Sequence, residues 1–326
     1  MRRRAFIRLL GGAAAWPFAV GAQEPKSIVG FLGPGSPEGE VRFVSAFRRG
    51  LNEAGFVEGR NVTIEFRWAE NDPKHLPELA ADLVARRVDV IVVPAGTPAV
   101  MAAKAATTII PIVFQVGADP VRSGLVASLN RPGGNVTGVS GLAQEVVSKR
   151  IGLHNEMKPG TGPIAVLLDP TDDFAGLTPK AEMQAASATL KRPIEFFDAA
   201  DNREIDAAFD KMISKRVDAL VINPNNLFAN RAGQIAILAA RHVLPAIHPL
   251  SDFPHLGGLM SYGASVTDRL RQVGTYTGRI LRGEKPADLP VLQAAKFEFV
   301  INLQTARTLG IMVPPTLLAL ADEVIE

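Results

Sequence analysis

DPKHLPELAADLVARRVDVIVVPAG (residues 72–96) aligns without a gap to DNREIDAAFDKMISKRVDALVINPN (residues 201–225), an offset of 129. Asp72/Asp201, Arg87/Arg216, Val88/Val217, Asp89/Asp218 and Val92/Val221 are identical pairs. Each copy reads as a helix followed by a short apolar strand, because its apolar residues pass from three-to-four spacing to a continuous run. Each is then followed by a helix and a strand that begins at a proline, IPIVF after Ile109 and LPAIH after Val243. Duplication and shared patterning both give two similar lobes. Asp89 and Asp218 sit where a helix passes into a strand, so a structural role is expected of both.

The same alternation extends outward. Ile28–Leu32, Val62–Trp68, Val88–Val93, Ile109–Gln115, Ile164–Leu168, Ile194–Phe197 and Ala219–Ile222 read as strands, mostly with helical patterns between them. Short strands alternating with helices predict an α/β chain with parallel sheets and crossovers. Three stretches dense in Gly, Pro or Asn, at 130–141, 255–265 and 283–290, read as chain crossings between the lobes and together as a hinge. The expected organisation is a leader at 1–22, a first lobe at 23–140 and 259–287, and a second lobe at 141–258 and 288–326. Ligands of open α/β sheets sit beyond the carboxyl ends of the strands. VVPAGTPAVMAA (92–103) places such an end at Gly96-Thr97, with Thr97 read as an N-cap and Pro98 as the first helical residue. Its counterpart is Asn225-Asn226. Two such ends facing each other predict a cleft, and the helix start at Gly96-Thr97 suits an anion.

The chain has 326 residues, room for two domains, and its 47% hydrophobic and 21% charged content fits globular cores rather than disorder. Its net charge of +2 becomes −2 without residues 1–22, which hold Arg2, Arg3, Arg4 and Arg8 and no acid. Such a mildly acidic remainder gives no reason to expect nucleic acid or an anionic membrane as a partner. The absence of cysteine excludes disulfides, thiolate metal sites and a lipidated N-terminal cysteine. The start, MRRRAFIRLLGGAAAWPFAVGAQ, has an Arg-rich head, an apolar run from Leu9 to Val20, and Val20 and Ala22 before Gln23. That is the pattern of a cleaved export signal, and its run falls short of the roughly 20 residues of a spanning helix. Arg3-Arg4-Ala5-Phe6-Ile7-Arg8 looks like a twin-arginine signal, with an ordinary Sec signal the other possibility. A periplasmic or external protein is expected.

The segments FRRGLNEAGFVEGRNVTIEFRWAE, VGADPVRSGLVASLNRPGGNVTG, LAARHVLPAIHPLSDFPHLGGLMSYGAS, GRILRGEKPADLPV and VPPTLLALADEVIE, with the leader, resemble one family over nearly the whole chain. They are similar to the substrate-binding proteins of ABC importers, in the group containing the tryptophan/tyrosine-binding proteins. The resemblance implies a type I periplasmic-binding fold, with two Rossmann-like lobes, three hinge strands and a ligand enclosed between them. It implies no catalysis. It also implies ligand contacts at Gly35-Ser36, at Gly96-Thr97 and on the Asp-Pro turn at Asp119. In the second lobe the implied contacts fall on Asn225, Asn226 and Phe228, and at the hinge on Ser261-Tyr262. Many relatives carry an aspartate in the second-lobe loop where this chain has Asn225 and Asn226, which leaves that loop without the acidic partner for an ammonium group.

Other chemistries find little support. GPGSPEG (33–39) has glycines at 33, 35 and 39, not in the dinucleotide spacing, and its prolines remove two N–H donors. GGLMSYG (257–263) has Leu259 where a nucleophile elbow needs its first glycine. His75, His154, His242, His248 and His255 form no ligand spacing. No cofactor or metal is expected. The sequence therefore reads as a monomeric solute receptor that passes a small carboxylate-bearing molecule, an aromatic or branched amino acid or an aromatic acid, to an inner-membrane ABC permease. A two-lobed sensor docking to a membrane signalling protein is the alternative.

Overall fold

The computed structural model describes residues 26–141, 146–170 and 180–326, with the backbone alone at 180–182 and 226. The expected export segment at 1–22 lies outside the described residues. The first lobe opens with β1 (Ser27–Gly33), α1 (Val41–Glu53), β2 (Val62–Trp68), α2 (Leu76–Ala85), β3 (Val90–Val93), α3 (Thr97–Ala106), β4 (Ile112–Val116) and β5 (Val136–Ser140). The second lobe follows with α4 (Val147–Met157), β6 (Ile164–Leu168), α5 (Lys180–Leu190), β7 (Ile194–Asp198), α6 (Asn202–Ser214), β8 (Ala219–Ile222), α7 (Asn226–Asn230), α8 (Ala232–Arg241), β9 (Ala246–His248), α9 (Asp252–His255) and β10 (Met260–Ala264). The chain returns to the first lobe for α10 (Val266–Leu281) and β11 (Leu292–Gln293). It ends in the second with β12 (Phe297–Asn302), α11 (Leu303–Thr308), α12 (Pro315–Leu320) and β13 (Glu323–Ile325).

The first sheet has the order β11-β5-β4-β3-β1-β2 and is parallel throughout. The second has the order β13-β12-β10-β9-β8-β6-β7, in which only the β10–β12 pair is antiparallel. Fully buried strands such as VIVV and IAVLL are covered by helices on both faces, as parallel sheets require. In the first lobe, α2 and α3 close one face over Leu83, Ile91, Val100 and Phe114. On the other face α1 and α10 pack Phe47 and Leu51 with Val273, Tyr276 and Ile280.

The repeat is visible in the backbone. Asp72 and Asp201 each cap a helix start, accepting from the N–H of Lys74 and of Glu204 at 2.9 Å. Arg87 (φ 56°) and Arg216 (φ 52°) each turn left-handed after the helix. The two aspartates that follow then diverge. Asp89 accepts from the Ile28 N–H at 2.7 Å and joins the start of β3 to β1, whereas Asp218 pairs with the buried Arg192.

The strands redraw two of the expected lobe boundaries. Met260–Ala264 belongs to the second sheet, so that crossing falls at Ser265 rather than before 259. Leu292-Gln293 belongs to the first, so the last crossing lies at 294–296 rather than at 287. Two stretches read as crossings therefore contain strands. The glycines inside those strands serve close packing: a Cβ on Gly138 would lie 2.1 Å from the Phe114 carbonyl oxygen, and one on Gly263 2.0 Å from that of Pro249.

Arg192 generates a stability test. Its guanidinium also donates to the carbonyl of Gly162 (3.1 Å) and to Asn155 Oδ1 (3.0 Å), but Asp218 is its counter-charge. Asp218→Ala should cost about 3 kcal/mol in urea unfolding, because it strands a buried cation.

Candidate functional site

A cleft of about 680 Å³ lies where the carboxyl ends of the two sheets face each other. The first lobe supplies the loops after β1, β3 and β4, and the second supplies those after β6, β8 and β9. Among the described residues, two contacts bridge the lobes at the rim. Arg42 on α1 pairs with Asp252 on α9, and Asn230 Nδ2 donates to Asn71 Oδ1 at 3.1 Å.

At the hinge the three crossings are laced together by backbone hydrogen bonds. The Gly141 N–H donates to Val116 (2.8 Å), the Ser265 N–H to Lys296 (2.9 Å) and the Ala294 N–H to Ser140 (2.8 Å). Arg269 on α10 sits against this lacing and lines the cleft. Its guanidinium donates to the carbonyls of Val116 (3.4 Å), Ala264 (3.5 Å) and Ser265 (3.4 Å). In the amide orientation that satisfies both ends, Gln115 accepts from Arg269 and donates to the Pro94 carbonyl (2.6 Å). Burial pulls the Arg269 guanidinium down to about 10, so it stays charged at neutral pH.

The second lobe brings a matching cation. Arg150 on α4 is fully buried, lines the cleft and donates to the Ile222 carbonyl at the end of β8 (3.4 Å). Burial lowers it to about 9 against the opposing influence of Tyr262, and it too stays charged. His248, on β9, accepts at Nδ1 from the Leu250 N–H (3.0 Å) and stacks on Phe253. Burial, with Arg150 nearby, lowers it to about 3, so the ring is neutral with its proton on Nε2.

From the first lobe, Glu40 brings a carboxyl group to the lining of the same cleft. Glu40, at the N-cap of α1, is 7% exposed. Its Oε1 accepts from the Gly35 N–H at 3.0 Å. Its Oε2 is buried without a hydrogen-bond partner. A Cβ on residue 35 would stand 2.5 Å from Oε1, so glycine there permits the approach. Burial raises the Glu40 carboxyl from 4.5 to about 7, only partly offset by the Gly35 hydrogen bond.

The expected site residues separate into two groups. Gly35, Ser36, Gly96, Thr97 and Asn225 line the cleft. Gly96 (φ 81°), not Thr97, is the N-cap of α3; Thr97 and Pro98 are its first two residues. The Thr97 hydroxyl is therefore not spent on capping, and the Thr97 and Ala99 N–H groups open on the cleft end of the helix. Asn225 caps α7 through Oδ1, which accepts from the Leu227 N–H at 2.6 Å. Asn226 opens α7, and its side chain lies outside the described residues.

Among the others, Asp119 does not line the cleft, although Gly117 and Ala118 do. Its Oδ1 accepts from the N–H groups of Val121 (2.8 Å) and Arg122 (3.2 Å), a local turn cap. Phe228 is fully buried in the second-lobe core, because α7 turns its apolar side toward Phe253 and Ile235. Ser261 is fully buried within β10. Tyr262 stacks on Phe297 (5.9 Å) and meets Phe299 edge-on (6.2 Å).

Glu40, Arg150, His248 and Arg269 are site residues that the sequence reading missed. A signal existed for the arginines: Arg150 shares a helical stripe with Val147, His154 and Met157, and Arg269 shares one with Val273, Tyr276 and Ile280. A cation within an apolar stripe is either paired or functional.

A family model described as ABC transporter substrate binding protein matches residues 36–325. A curated tyrosine-binding protein of Clostridioides difficile (strain R20291) is 26% identical over 81% of this chain and 75% of its own length. A crystal structure from Streptococcus pneumoniae, an ABC domain in complex with L-Trp, is 28% identical, with a TM-score of 0.82 over 92% of this chain and 100% of that one. A conserved domain protein of Vibrio cholerae is 26% identical, with a TM-score of 0.83 over 92% and 99%. These neighbours share the two-lobed fold of type I periplasmic binding proteins.

Glu40 predicts a pH signature. The folded protein holds the Glu40 proton up to about pH 7, and the unfolded chain releases it near 4.5. Folding is thus penalised as pH rises through this window, by on the order of 2–3 kcal/mol at about pH 8. Glu40→Gln should raise the ligand-free melting temperature at about pH 8, and the gain should shrink toward pH 5.

Proposed function

We propose, from the premise that this chain belongs to the ABC transporter substrate binding protein family, that it is the exported receptor of an importer. The family binds solutes and is not enzymatic. Among the described residues no helix is long and apolar enough to cross a membrane. In this reading the protein works in the periplasm as a monomer. It captures a small carboxylate-bearing ligand between its lobes and delivers it to an inner-membrane permease.

The observation that carries the ligand class is the pair of buried guanidiniums, Arg150 and Arg269, one from each lobe. Guanidiniums lining a cleft suit a carboxylate, whose two oxygens match their planar donors and whose charge complements theirs. The N-terminus of α3 adds two N–H donors, the Thr97 hydroxyl and the positive end of a helix dipole. Similarity to proteins described as binding tyrosine or L-Trp supports an aromatic amino acid or a related acid as cargo.

A thermal-shift panel of aromatic and branched amino acids, aromatic acids and neutral sugars tests this reading. A ligand at 100 times its Kd adds about 2.7 kcal/mol. Shifts from neutral sugars alone would defeat it. Thr97→Val should weaken binding of the responding acid in calorimetry by about 1.5–3 kcal/mol, the range for a hydrogen bond to a charged group, with little change in fold stability. Export has its own check: N-terminal sequencing of the secreted protein should read from Gln23, and a native cytoplasmic form that keeps residues 1–22 would refute it.

A further inference from the structure

We infer that Glu40 is the acceptor for a ligand ammonium group, so that the cargo is an amino acid rather than a simple carboxylic acid. The inference rests on the carboxylate reading of the cleft and narrows it. Its basis is geometric. Glu40 lines the cleft, is 93% removed from solvent, and holds one oxygen on the Gly35 N–H while Oε2 has no donor. Leaving a buried carboxylate oxygen unsatisfied is costly, and such a group in a binding cleft is completed by what the ligand brings. An ammonium group brings both missing elements, N–H donors and a positive charge.

Among the described residues, two other acids had a claim to this role. Asp119 spends Oδ1 on the Val121 and Arg122 N–H groups and does not line the cleft. Asp169, just after β6, lines the cleft from the second lobe but is only partly buried, whereas Glu40 is withdrawn from solvent. Glu40 belongs to the same lobe as the α3 N-terminus. One lobe therefore presents both an anion-binding and a cation-binding group, as a zwitterion requires. The raised Glu40 carboxyl is consistent with a group that lacks its counter-charge until cargo arrives.

Calorimetry separates the possibilities. The probes are L-tryptophan, L-tyrosine and their deaminated analogues, indole-3-propionate and 3-(4-hydroxyphenyl)propionate. Each is titrated into the wild-type protein, Glu40→Gln and Asp169→Asn at about pH 8, above the Glu40 range. Glutamine keeps the shape of the side chain and its bond to Gly35. The wild type should bind at least one amino acid about 30-fold or more tighter than its analogue. Glu40→Gln should abolish that preference, chiefly by weakening amino acid binding, while Asp169→Asn should keep it. Equal wild-type affinity for amino acid and analogue overturns the role of Glu40 but leaves the carboxylate reading intact. So does a preference that survives in Glu40→Gln or disappears only in Asp169→Asn. If none of the four probes binds, the aromatic amino acid reading fails and the Glu40 inference fails with it.

Discussion

A buried guanidinium at the hinge holds this structure together. Arg269 is rooted in a first-lobe helix, yet it donates to the Val116 carbonyl at the end of the first sheet and to that of Ala264 at the end of a second-sheet strand. A Cβ on Gly141, at another crossing, would stand 2.3 Å from its Nη1. A desolvated cation tolerates few arrangements, because each lost acceptor costs far more than it would in water. The strand ends, the crossings and the cleft floor are therefore fixed by one set of interactions. The lobes have separate cores.

Much of this architecture was legible because it follows from local chemistry. The repeat and the apolar runs are written as residue types at fixed spacings, and the aspartate caps and the left-handed Arg87 and Arg216 fall at its matched positions. The strands Val136–Ser140 and Met260–Ala264 were obscured because their glycines answer to a neighbouring carbonyl rather than to their own backbone. Asp119 and Phe228 show the converse: a short polar side chain captures the nearest N–H groups, and a large ring finds the core, whatever the loop around them does. Glu40 could not be seen at all. Its environment is made by Gly35 and by elements distant in the chain, and a lone glutamate beside a glycine-rich loop looks like any solvated acid.

The cleft is electrostatically expensive before anything enters it. Two cations are held against backbone carbonyls, a carboxyl group is half-satisfied, and a histidine is kept neutral by burial. Each lowers the stability of the empty protein relative to an apolar filling. Such sites give strong discrimination, because a ligand lacking one complementary group leaves that penalty in place. The affinity of the site and the instability of the ligand-free fold are thus two readings of the same charges.

The rim contacts between the lobes have a consequence for how faithfully the receptor reports its contents. Arg42–Asp252 is solvent-exposed on both sides, and Asn71–Asn230 is an exposed neutral pair. Exposed contacts of this kind are worth at most about 1 kcal/mol each, so the two together favour an empty, shut molecule by no more than about 30-fold. Such a clasp is too weak to imitate a passenger that contributes many times that free energy. False positives, shut receptors carrying nothing, are held down by the feebleness of the clasp, and dissolved salt suppresses them further by screening its charged half.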